Sequence, residues 1–296
     1  MVIKKKSVKN FSVDKKKEVK KKPSAKILKK SVKIFSVDKK KEVKKKPSAK
    51  ILKKSVVKNG KDMRVASGVP NYDRLVCGGF EKNSTNLLVG GSGSGKSIFA
   101  TQFLVGGMKK GENCLYVTFE EHKEQFYENM KGFGWDLESY EKKGLFTFLE
   151  YSPIKVKTML EEGGGEIERV ILGKKVTRIV IDSITSFALL FKDELEKREA
   201  ALSLFSMIRE WDATALLTLE EDPSLGIVRS APKTLEFEVD SLTFLYFIRY
   251  EGKRQRFLEV VKMRGTKHSK MVYPFEISNG GVSLKTTPVS DMVEKG

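Results

Sequence analysis

From residue 62 onward, short apolar runs alternate with stretches in which apolar residues recur every three to four positions. Residues 86–91, 113–119, 145–151, 177–182 and 213–219 are runs too short for a helix and apolar almost throughout. They read as strands buried on both faces. Residues 97–109, 123–133, 157–172 and 193–211 carry the helical spacing, the third interrupted by Gly163, Gly164 and Gly165. Residues 240–249 and 254–263 are further strands with no helix between them. Strands alternating with helices predict an α/β domain: a mainly parallel central sheet with helices on both faces. The consecutive late strands predict an antiparallel extension at one edge.

Residues 1–61 follow a different pattern. The segment 7–30 recurs as 31–54 with one change, Asn10 to Ile34, and a third copy starts at Ser55. Each copy holds few apolar residues, such as Phe11, Val13, Ile27 and Leu28, among runs of lysine. So little apolar area does not offset the entropy of ordering, which predicts a disordered tail rather than a solenoid. Charge sharpens this division. The chain has a net charge of +19, yet residues 1–61 hold 25 lysines against four acidic residues. The remainder, 62–296, holds 32 basic and 34 acidic residues, so the basic character belongs to the tail. Two readings of the tail stand: a solvated, weakly constrained segment, or an arm for nucleic acid or another polyanion.

Cys77 and Cys114 are the only cysteines and form no CxxC pair. No disulfide framework is expected, and both read as small buried groups. The basic start is not followed by an apolar stretch, and no run of 18 apolar residues occurs. The expectation is a cytoplasmic chain with neither secretory leader nor membrane span.

Candidate chemistry begins at Gly90, Gly91, Ser92, Gly93, Ser94, Gly95, Lys96 and Ser97. These fit GxxxxGK[ST] in full, after an expected strand and at the opening of an expected helix. Glycines let backbone N–H groups wrap around phosphate, and the helix start faces the anion. Lys96 is placed to reach the β- and γ-phosphates of ATP and Ser97 to ligate Mg²⁺. Asp182 ends the strand at 177–182, at the same sheet edge, and is the expected second Mg²⁺ ligand; its alternative is a cap for the following turn. Glu120 and Glu121 end the strand at 113–119, where a carboxylate can orient or deprotonate an attacking water. The pattern does not order the two. His122 reads as a neighbour of the site, and Trp135 and Trp211 as packing anchors. Alternation puts Lys262 and Arg264 on one side of their strand, aimed at an anion or at solvent.

Taken together, these residues resemble the RecA superfamily, and most closely its KaiC-like branch, over residues 62–288. The matching parts run in order from Ser67 through Asp73 and Gly78–Gly79 to the phosphate loop. Glu120–Glu121, the Val180–Ser183 segment and Leu216–Glu220 follow, and Lys262–His268 with Tyr273–Ile277 closes the series. The resemblance implies an ATPase that assembles as a homo-oligomer, usually a hexamer, with ATP at subunit interfaces. It also implies that Lys262, Arg264 and His268 reach the γ-phosphate bound by a neighbour, and that Glu120 and Glu121 activate water. Asn71 and Ser84 stand where the family usually has glycine. The leading expectation is therefore an oligomeric ATPase with a regulatory or signalling role. The alternatives are a recombinase-type paralogue that binds DNA through its tail, and an autokinase. Residues 220–233 oppose DNA binding in a central channel: two basic residues face three acidic ones, with no aromatic.

Overall fold

Nine strands form one sheet in the order β11-β10-β9-β8-β3-β7-β6-β4-β5. In chain order, its first half comprises β3 (Thr85–Gly90), α2 (Lys96–Met108), β4 (Cys114–Thr118), α3 (Lys123–Lys131), α4 (Leu137–Lys142) and β5 (Phe146–Glu150). The second half comprises α5 (Gly165–Lys174), β6 (Arg178–Asp182), α6 (Ile184–Ala188), α7 (Glu194–Glu210), β7 (Thr214–Glu220), β8 (Ser241–Tyr250), β9 (Lys253–Met263), β10 (Val272–Ser278) and β11 (Gly281–Leu284). A short ribbon of β1 (Arg64–Val65) and β2 (Phe80–Glu81) flanks α1 (Tyr72–Leu75) ahead of them. These elements come from a computed structural model that describes residues 64–152, 155, 158, 165–189, 191–221 and 238–289. The expectations for the tail at 1–61 and for residues 222–233 lie outside them.

The six strands from β8 to β5 are parallel. From β8 onward the pairing turns antiparallel through β9, β10 and β11, so the expected edge extension is present. Side chains alternate between two cores, as the pleat requires. Leu88, Tyr116, Val180 and Leu216 face a layer built on α1, α2, α3 and α4. Leu87, Leu115, Ile179 and Leu217 face the layer of α5, α6 and α7.

α2 is buried on almost every side, from Phe99 to Met108, and follows directly on the phosphate loop. Its last turn lies against the Arg178 side chain, which is only 1% exposed. That guanidinium grips Glu112 through two bonds of 2.7 Å and donates to the carbonyls of Ala66 (2.8 Å) and Phe103 (2.9 Å). Each of its three nitrogens donates, which offsets much of the cost of burying the charge.

Asn71 takes φ +67° and its amide donates to the Leu284 carbonyl at 2.7 Å. Asn tolerates the left-handed region, so it stands in for glycine there. Ser84 is buried and its hydroxyl donates to the Glu81 carbonyl. One expectation is corrected: Cys77 is exposed, because it sits at φ +57° on the turn before Gly78 with its sulfur against the Lys267 carbonyl. Cys114 is buried, which pushes its thiol up to about 12. Among the described residues no helix is long and apolar enough to cross a membrane.

Candidate active site

The strand order sets the site. β3, β6 and β4 end at one edge, with β7 between β3 and β6, so their C-terminal residues converge. The phosphate loop leaves β3 and turns through Gly93 (φ +73°) and Gly95 (φ +100°), conformations that a Cβ would strain. Ser92, Gly93, Lys96 and Ser97 line a polar cleft of about 250 Å³ with Thr118, Glu120, Glu121, Asp182, Ser183 and Glu220. Gly90 and Gly91 shape the turn, Gly95 starts α2, and the Ser94 side chain points inward.

Within the cleft, Lys96 Nζ donates to the Gly91 carbonyl at 3.0 Å. Burial holds its pKa below the usual lysine value, while Glu220, Asp182 and Glu120 pull the other way. The backbone N–H groups of Glu120 and Glu121 both donate to Thr118 Oγ1, at 3.2 and 3.1 Å, which bends the chain as it leaves β4. Both carboxyls are raised above the ordinary range, first by burial and then by Asp182. Glu220 adds to the effect on Glu120, and Glu120 to that on Glu121. Asp182 Oδ2 accepts from the Tyr116 hydroxyl at 2.6 Å and Oδ1 from Thr218. The Asp182–Ser183 peptide is cis. His122 lies outside the cleft and contacts Glu150 at 3.3 Å.

Lys262, Arg264 and His268 are not part of this cleft. Register explains their distance: Ser241 pairs with Asn86 of β3 and with Met263 of β9, so these residues lie at the start of β3. The phosphate loop leaves its other end, about 17 Å away at 3.3 Å per residue. Lys262 donates to the Val239 carbonyl, Arg264 pairs with Asp240, and His268 Nδ1 contacts the Ser269 carbonyl.

Three features escape the sequence reading. Glu220 lines the cleft, signalled only by its place at a strand end and at the close of the Leu216–Glu220 segment. Tyr116 and Thr218 read as core positions, and nothing in the pattern separates them from structural residues. Arg256 lies against the Phe247 ring at 4.2 Å and donates twice to the Gly93 carbonyl, bracing the phosphate loop from β9.

A model of the KaiC ATPase family matches residues 65–288. The chain belongs to the KaiC ATPase family. A circadian clock protein KaiC3 from Synechocystis is 34% identical over 223 residues, covering 73% of this chain and 44% of that protein. The chain thus spans less than half the length of this KaiC relative. A UPF0273 protein of Pyrococcus horikoshii is 33% identical over 232 residues, covering 74% of this chain and 92% of its own. A solved KaiC-like protein from the same archaeon has a TM-score of 0.67 at 36% identity, over 75% of this chain and 98% of that one. The sheet and helix layers are those of a KaiC-like, RecA-type core.

Proposed function

We propose that the chain binds ATP at the cleft between the phosphate loop and the ends of β4, β6 and β7, and hydrolyses it within a homo-oligomer that serves as a regulatory switch. The observation that carries this reading is the charge of the cleft. Four carboxylates, Glu120, Glu121, Asp182 and Glu220, face one ammonium, Lys96. A triphosphate alone would be repelled there, so a divalent cation must accompany it. Among the described residues no three His, Cys, Asp or Glu side chains converge as a cation site. Ser97 and Asp182 fit as two protein ligands, with phosphate and water supplying the others. When bound, Mg²⁺ neutralises charge on the phosphates.

The chain's own groups account for the remaining roles. Backbone N–H groups of the loop and the start of α2 hold the phosphates. Lys96 exchanges the Gly91 carbonyl for the β- and γ-phosphates. Glu120 or Glu121, held above the ordinary carboxyl range, orients a water and takes its proton as the water oxygen attacks phosphorus and the bond to ADP breaks. Family membership supports ATP as the nucleotide and a neighbouring subunit as the source of Lys262, Arg264 and His268.

The test is phosphate release from ATP per subunit, followed as protein concentration rises. Specific activity that climbs and then saturates supports a site completed between subunits. No release at any concentration withdraws the hydrolytic roles of Glu120 and Glu121. Lys96→Ala is expected to abolish ATP binding; unchanged binding and turnover would overturn the assignment.

A further inference from the structure

Tyr116 is fully buried, yet its hydroxyl reaches the cleft. The ring is fixed by Phe126 at 4.5 Å and by stacking on Phe148 at 5.5 Å, so the hydroxyl has little freedom. It donates to Asp182 Oδ2 at 2.6 Å. The other carboxylate oxygen, Oδ1, accepts from Thr218. Asp182 ends β6, and β4 and β7, which carry Tyr116 and Thr218, flank β6 on its two sides. The carboxylate is therefore gripped from both neighbouring strands.

The direction of the protons matters here. A phenol has one proton to give, and Asp182 takes it. Both donors to Asp182 are neutral hydroxyls.

We propose that Tyr116, seconded by Thr218, is a positioning residue for the divalent cation: the two hydroxyls hold the Asp182 carboxylate from both neighbouring strands and fix its orientation toward the place where the cation binds. The proposal rests on the reading of this cleft as a Mg²⁺·ATP site. Outer partners that orient ligands typically change metal affinity 10- to 100-fold when removed.

The test uses the full chain, Mn²⁺ followed by electron paramagnetic resonance, and a non-hydrolysable ATP analogue. Tyr116→Phe keeps the ring and removes the hydroxyl. We expect Mn²⁺ affinity in the presence of the analogue to fall by about tenfold, while analogue affinity without metal is unchanged. In turnover, half-maximal rate should require correspondingly more Mg²⁺, with the rate at saturating Mg²⁺ retained. Thr218→Val should shift Mn²⁺ affinity the same way, and Thr218→Ser should restore it, which keeps the test open should Tyr116→Phe not fold. Unchanged Mn²⁺ affinity in Tyr116→Phe, or an equal fall in metal-free analogue affinity, overturns the proposal. If the wild-type chain binds the analogue with no dependence on metal, the Mg²⁺·ATP reading itself fails, and this inference with it.

Discussion

Single residues decide how the cleft balances charge. Glu120 and Glu121 are raised by burial and by neighbouring carboxylates, so their ionisation works against the folded chain at neutral pH. We expect the double variant Glu120→Gln with Glu121→Gln to lower ATP turnover by at least about 100-fold while raising the melting temperature of the nucleotide-free protein. A variant that melts lower would contradict the like-charge account. Glu112 behaves in the opposite sense. Its hydrogen bonds to Arg178 hold its carboxyl below the ordinary 4.5. Its contribution is therefore complete above pH 4.5 and disappears as pH falls through the lower, folded value. Glu112→Gln should flatten that acid limb of a melting-temperature profile. Glu112→Ala, which leaves a buried guanidinium short of its partner, should destabilise by about 3 kcal/mol in urea titrations. The phosphate loop, Asp182 and the Glu120–Glu121 pair were legible in the sequence because each sits where a strand stops and polar chemistry begins. Tyr116 and Thr218 were not, since a hydroxyl inside an apolar run looks the same whether it packs or positions.

At the scale of elements, the parallel strands were legible because burial on both faces leaves unbroken apolar runs. The expected helix at 157–172 is described as α5 only from Gly165, with most of 153–164 outside the described residues. α4 and α6 span six and five residues, too few for a helical period to register. β10 carries the half-exposed pattern of an edge, and the sequence signalled it only through a family motif, while β11 spans four residues, too few to register. α2 is a helix without a polar face, so its glycines are where it meets its neighbours. A Cβ on Gly107 would lie 2.5 Å from Arg178 Nε and 2.6 Å from Cδ. Gly107→Ala should therefore destabilise by about 1–3 kcal/mol. Gly173 of α5 has open space around its missing Cβ, and Gly173→Ala should be neutral or stabilising by up to about 1 kcal/mol. Equal melting temperatures for the two variants would show that the Arg178 contact yields easily.

For the whole molecule, the net positive charge is concentrated in residues 1–61. The basic segment at 1–61 motivates a test by deletion: if it is a polyanion arm, its removal abolishes a nucleic-acid affinity that falls steeply with salt. Binding that survives the deletion and ignores salt would assign the affinity to the domain instead. Arg264 and Asp240 are partly exposed, at 49% and 31%, and such a pair contributes under about 1 kcal/mol. The β8–β9 register keeps Lys262 and Arg264 at the far end of the sheet from their own phosphate loop. Under the proposed assembly, each chain then offers a cradle at one end and cations at the other, and copies must join head to tail. Such a row always leaves one cradle unfinished unless it closes into a ring. Mixing in subunits that carry Arg264→Ala should thus silence intact neighbours one for one, and activity should fall linearly with their fraction rather than collapse.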